Sequence, residues 1–244
     1  ISGTARDALA IIDQRPLGFA RSLNIKPETA GGTHQTEVIL EVPLLLDVKL
    51  DDMVIKTTSK LSGLSLPGIA FGHPIEAGEL QLTTDKERMQ LAGDLTLAGA
   101  RLNVAVIQAF SAKAPIQQKI LAKGEVGGDS RALLGFDYAP YLEGAVKAVI
   151  DYQTRANGTG EGTLELDLTP AALNFADAGW RKPAGQAGTA AMSFETKAGL
   201  LERLPSFSAE AIGLDAAGSL AMRGAAGARR GSASATLTLA SRAA

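Results

Sequence analysis

The sequence predicts a mainly β protein, an antiparallel sheet curled into an open trough of repeating β-groove units with one or two short helices. Three observations predict it. Apolar residues recur with a period of two along most of the chain, which places them on one face of each strand. Turn-forming residues separate these runs at short intervals, as in a meander of hairpins. Helix-period patterning is confined to short segments, so no helical layer is available to cover a large one-faced sheet.

The first element is the helix expected over residues 5–14. Leu9, Ile11 and Ile12 group towards one side, Thr4 with Asp7 resembles a capping box, and Pro16 stops it. Beyond it the period changes to two. Met89, Leu91, Gly93, Leu95 and Leu97 alternate with Gln90, Ala92, Asp94 and Thr96. Val146, Ala148, Ile150 and Tyr152 alternate mostly with polar neighbours, and so do Leu164, Leu166 and Leu168, then Ala190, Met192 and Phe194, then Leu237 and Leu239. Thr84-Asp85-Lys86-Glu87, Ala98-Gly99 and Ala198-Gly199 are hairpin connections. Asn157-Gly158 predicts a type I′ turn, in which both central residues take φ > 0. Asp129 is placed to cap a short helix through Leu134.

The pattern repeats. Pro16-Leu17-Gly18-Phe19, Lys26-Pro27 and Gly31-Gly32 lead into one strand; Leu133-Leu134-Gly135-Phe136, Ala139-Pro140 and Gly144 lead into another. The run from His73 to Gly78 has a counterpart in the run from Lys182 to Gly188. Two similar units are therefore expected, residues 1–127 and 128–244, with Gly18 matching Gly135 and Pro74 matching Pro183. Gly- and Pro-rich crossings at 64–78 and 170–188 would break the meander at equivalent points. A continuous sheet of roughly twelve strands would give a trough on the order of 55 Å long.

Composition narrows the function. Hydrophobic residues make up 45% of the 244 residues and aromatic residues only 5%, so the apolar surface is aliphatic. Net charge is −2, and no basic stripe with interleaved aromatics is present, which argues against nucleic acid as a partner. With no cysteine, disulfides, zinc ribbons and thiol catalysis are excluded. No apolar run reaches the length of a membrane-spanning helix, and no signal peptide is recognisable. The chain begins at Ile1 rather than Met, as expected of a soluble piece whose targeting or anchoring segment lies elsewhere.

Candidate polar chemistry is sparse. His34 and His73 are the only histidines and read as strand-start and loop residues rather than metal ligands. Asp51-Asp52 are adjacent and would point to opposite faces of a strand. The Gly-x-Gly spacing in 157–162 lacks the Lys-Ser/Thr ending and following helix of a phosphate loop. Arg229-Arg230 read as charged guards on an edge strand. Trp180 reads as a core or rim anchor, and no serine lies in a Gly-x-Ser-x-Gly elbow. No catalytic residue, metal site or cofactor emerges. The candidate site is instead an aliphatic lining, Leu91, Leu95, Leu97, Val104, Ile150, Leu166, Met192, Phe194, Leu214 and Leu237, expected on one concave surface. Acyl chains suit such a surface, because each buried CH₂ contributes roughly 0.8 kcal/mol without a hydrogen-bond pattern. The alternative is a non-catalytic structural or interaction module, a solenoid or sandwich with a closed dry core.

The run from Arg131 to Gly144, and the run from Leu173 through Trp180-Arg181-Lys182-Pro183 to Gly185, resemble recurrent elements of AsmA-like proteins of Gram-negative bacteria, of the YhdP and TamB type. Residues 64–82 resemble an earlier copy. The resemblance implies a periplasmic repeating β-groove in a parent chain anchored in the inner membrane. It implies phospholipid, or another acyl-chain lipid, as partner, and a role in lipid transport to the outer membrane or in its maintenance. The family carries no catalytic residues to transfer.

Overall fold

The computed structural model describes residues 1–14, 25–44, 46–47, 52–70, 72–136, 138–223, 232–235 and 238–239. Residues 16–19, Asp51, Arg229, Arg230 and Leu237 lie outside them. The protein is mainly β, its sheets are antiparallel, and its α-helices are short. It divides into two compact units, Ile1–Ala112 and Lys113–Ala244. The division thus falls ahead of the 127/128 boundary read from the repeat.

In the first unit β1 (Ser2–Thr4) leads into α1 (Ala5–Ile12), followed by β2 (Gly31–Glu41), β3 (Val54–Ala70), β4 (His73–Thr84), β5 (Arg88–Leu97) and β6 (Ala100–Ala109). Each strand pairs with the next in chain order. The Thr4 hydroxyl caps α1 by accepting from the Asp7 N–H at 3.1 Å and donates to the Asp7 carboxylate at 2.6 Å. Ala5 is buried, whereas Ile11, grouped with Leu9 on one side in the sequence, is exposed. The crossing expected at 64–78 is absent. β3 continues to Ala70, and His73 and Pro74 open β4, so His73 is a strand residue rather than a loop residue. A register shift between Leu66 and Ala70, with Gly68 at φ 69°, accommodates Pro67. An irregularity of this kind is where a strand tolerates a residue without an N–H.

In the second unit β7 (Gln118–Val126) is followed by α2 (Gly128–Leu133), β8 (Leu142–Glu143), β9 (Val146–Thr154), β10 (Thr159–Asp167), β11 (Ala172–Phe175), β12 (Trp180–Lys182), β13 (Gly188–Lys197), β14 (Leu200–Ala211), β15 (Leu214–Arg223), β16 (Ser232–Ala235) and β17 (Thr238–Leu239). The main ladder runs β7-β9-β10-β13-β14-β15-β16, with β17 also on β15. A separate sheet has the order β12-β11-β8. Here the meander is indeed broken between 170 and 188, and the break holds β11 and β12. Pro183 follows β12 in a turn, while Pro74 sits inside a strand, so the two prolines hold different places. The cap of α2 also differs from expectation: Gly127 is the N-cap, without a side-chain bond, and Asp129 lies within the first turn.

The turns invert one expectation. Ala98-Gly99 takes φ of 48° and 81°, and Ala198-Gly199 takes 50° and 77°, so these are the two-residue turns with both centres left-handed. At Asn157-Gly158 only the glycine is left-handed, at φ 77°. The Gly158 N–H donates to the Arg155 carbonyl at 3.0 Å and the Asn157 carboxamide accepts from the Thr159 N–H. Asn157 closes a three-residue loop through its side chain, so its own backbone need not turn left-handed.

Candidate functional site

Register assigns the faces of each ladder, because residues directly opposite in an antiparallel pair project to the same side. In the first unit, Ser59, Leu82, Leu91 and Val106 form one cross-strand row. Leu61, Leu80, Gly93 and Val104 form the next, Leu95 and Leu102 another, and Leu66, Ile75, Leu97 and Ala100 the last. The opposite face carries Lys60, Glu79, Gln81, Asp94, Arg101 and Asn103, with Lys60 and Glu79 ion-paired at 3.1 Å. In the second unit, Ala122, Ile150, Leu164, Met192 and Phe207 share a row. Gly124, Ala148, Leu166, Ala190, Ala209 and Ala216 share the next. Its other face is laced by Lys119–Asp151, Lys147–Asp167 and Arg203–Glu195 pairs at 3.2, 3.3 and 2.6 Å.

The candidate residues distribute accordingly. Leu91, Leu95, Leu97 and Val104 share the apolar face of the first unit. Ile150, Leu166, Met192, Phe194 and Leu214 share that of the second, Phe194 opposite Gly162 and Leu214 opposite Ala211. Leu97 and Val104 are buried; the other seven are half-buried. Phe194 and Tyr152 stack at 5.7 Å over Gly162, where a Cβ would meet the Phe194 ring at 2.6 Å and the Asp151 carbonyl at 2.7 Å. The glycine keeps these two rings flat on the sheet.

Little covers either face among the described residues. In the first unit Ala5 of α1 packs with Leu64 and Leu80, flanked by Leu61, Leu66, Leu91 and Leu95. In the second, Ala171 and Leu173, beside and within β11, pack on Val146 and Leu168, flanked by Val126, Leu142, Leu166, Trp180 and Ala190. The small sheet thus lies over one end of the apolar face. A shallow depression of about 480 Å³ in the first unit is lined by Ser2, Gly3, Thr33, His34, Gln35, Lys60 and Ser62, none of them in the aliphatic set. His34 stands within β2, where its Nδ1 bonds the Thr36 hydroxyl at 2.8 Å, and Thr36 in turn bonds Ser59.

Two buried cations hold the small sheet, and sequence reasoning assigned neither a role. Lys182 is 1% exposed, and its Nζ donates to the carbonyls of Leu168 (2.8 Å), Ala171 (2.7 Å) and Pro183 (3.3 Å). Arg131 is buried on α2 and donates to the carbonyls of Val126, Gly144 and Leu142 at 3.1, 2.7 and 3.1 Å. Each ties together backbone carbonyls from strand ends and the turns beside them. Trp180, read as an anchor, is one: its indole N–H donates to the Ile212 carbonyl at 3.0 Å, and its ring meets Phe175, which stacks on Tyr141. The only sequence signal for the cations was their place beside Trp180 and α2. No protein-family model, curated protein or solved structure matches the chain.

Proposed function

We propose that each unit offers its apolar sheet face to the acyl chains of phospholipid or another acyl-chain lipid, and that no catalysis is involved. The observation that carries the reading is the half-buried aliphatic face, continuous over β3–β6 in one unit and over β7, β9, β10, β13, β14 and β15 in the other. Among the described residues only α1 or the small sheet lies over it. Burying such a face contributes roughly 25 cal/mol per Å², so it favours a ligand that is itself apolar and makes no demand for hydrogen bonds. Headgroups would stay in water, and selectivity among them would be weak. The resemblance to AsmA-like proteins supports a site of action in the periplasm, in a parent chain anchored in the inner membrane, conducting lipid to the outer membrane or maintaining it.

The buried Leu97 and Val104 favour a second reading, a structural module whose apolar face is closed and dry. One experiment separates the two. Phospholipid should co-purify with the protein and be seen by mass spectrometry. Leu95→Asp and Met192→Glu should keep the circular dichroism of the parent and lower fluorescent-lipid uptake roughly tenfold, the loss expected when a charge displaces about two methylenes of contact. Variants that unfold would favour the dry module, since an unpaired buried charge is strongly destabilising. Folded variants that take up lipid as well as the parent would end the acyl-chain reading.

A further inference from the structure

The outer edge of β2 departs from the rule the other strands follow. β1 covers only Thr33, His34 and Gln35, and the Ile1 backbone closes onto Thr36 through bonds of 2.8 and 2.7 Å. On its other side β2 is paired with β3 as far as Glu41, Glu37 lying opposite Thr58 and Glu41 opposite Val54. The outer edge of residues 37–41 therefore has no strand partner among the described residues. Its side chains are apolar on both faces: Val38 is 44% exposed, Ile39 48% and Leu40 56%, and Val42 beyond them 46%. Ile39 stands on the face that elsewhere carries charge. Natural edges are guarded by lysine, proline or a bulge; here the guards are Glu37 and Glu41, two residues to either side of Ile39.

We infer that this edge takes a strand of another polypeptide by β-addition, one that reads basic–aliphatic–aliphatic–aliphatic–basic along its length. Residues added opposite Val38 and Leu40 extend the apolar face, and the one opposite Ile39 covers it. Basic residues opposite Glu37 and Glu41 complete cross-strand ion pairs of the kind seen at Lys60–Glu79, Lys119–Asp151 and Lys147–Asp167. The added backbone supplies affinity, and the alternating side chains supply selectivity. A second copy of this chain fits poorly. Antiparallel pairing centred on Ile39 sets Glu37 against Glu41 twice, and pairing centred on Val38 collides with β1 at Gln35.

The test uses the fluorescein-labelled peptide acetyl-Ser-Lys-Val-Ile-Val-Lys-Ser-amide and the intact chain, read by anisotropy. Saturable binding is expected. It should be lost when alternate peptide nitrogens are methylated. It should weaken at least tenfold in Glu37→Lys/Glu41→Lys, a pair of surface changes checked by circular dichroism. On that variant the peptide with Glu in place of both Lys should bind instead. The inference is overturned by absence of saturable binding to the parent, by equal binding of the methylated peptide, or by charge reversal without effect. Sedimentation velocity showing self-association that Val38→Lys abolishes would assign the edge to a second copy and overturn it equally.

Discussion

The two units use the same ladder and finish it differently. In residues 1–112 the apolar face meets, among the described residues, one helix, and the contact is hydrophobic: Ala5 on Leu64 and Leu80. In residues 113–244 the corresponding cover is a three-stranded sheet, too small to bring its own core. Lys182 and Arg131 tie backbone carbonyls at its strand ends and turns. A one-turn polar cap and an alternating strand pattern suffice to specify the first arrangement. The second depends on two buried cations.

The largest effect should therefore come from Lys182→Met. The variant keeps the apolar stem but strands the Ala171 carbonyl and leaves the Leu168 carbonyl with the Ala171 N–H alone. Leaving a buried acceptor of a charged donor unpaired costs about 3 kcal/mol. Hydrogen exchange should accelerate in β11, β12 and the adjoining end of β13, while β3 to β5 stay protected. Unchanged exchange in the small sheet would mean that packing alone holds it, and the contrast between the units would collapse.

Next in size is Gly93→Ala in the first unit. Gly93 has φ 144°, and an added Cβ would fall 2.5 Å from the Glu79 carbonyl and 2.9 Å from Leu80. A backbone oxygen cannot give way as a side chain does, so a loss of about 2 kcal/mol is expected in urea denaturation. Gly162→Ala in the second unit, where part of the conflict is with the Phe194 side chain rather than backbone, should lose less. The reverse order would show that the aromatic pair is the stiffer of the two.

Strand order and faces were legible in the sequence because period-two alternation records burial directly. Leu91 to Leu97 and Leu164 to Leu168 project as that alternation requires. The small sheet was not legible. Its strands span two to four residues, too short for a period to register. Lys182 belongs to a residue type that normally marks solvent. The turn at Asn157 was misread because Asn-Gly favours two left-handed residues by propensity, whereas here the Asn157 side chain supplies a competing bond to Thr159. Likewise Pro67 and Pro74 read as breaks, and a local register shift absorbed one while a strand start absorbed the other.

A smaller effect, shared by both units, lies in the left-handed alanines. Ala98 and Ala198 each hold φ near 50°, a conformation that costs a residue with a Cβ roughly 1 kcal/mol. Asparagine tolerates it better, so Ala98→Asn and Ala198→Asn should each raise stability by about 0.5 kcal/mol in urea denaturation. A lower midpoint for either variant would show that its side chain, not its backbone, decides the turn.

The smallest expected effect is acid dependence at the β4–β5 turn. Partial burial pushes the Asp85 carboxyl up, but the N–H groups of Glu87 and Arg88, with the charges of Arg88 and Lys56, outweigh it and hold the group below its ordinary value of 3.8. A depressed folded pKa means stability that is present above the unfolded value and lost as pH falls through the folded one. Asp85→Asn keeps an oxygen to accept both N–H groups and removes only the charge. Parent and variant should therefore differ slightly in melting temperature at pH 7, the parent higher, and converge as the pH falls from 3.8 through the lower value of the folded Asp85 carboxyl. Glu161, held down by bonds from Arg155 and Gln153, and Asp167, held down by Thr169 and Lys147, titrate in the same direction in the second unit. Salt should flatten the share of Glu161, whose first partner is the Arg155 guanidinium, while leaving those of Asp85 and Asp167, which accept backbone N–H groups, largely in place. A difference that persists unchanged to pH 2 would show that the Asn side chain, rather than the lost charge, perturbs the turn.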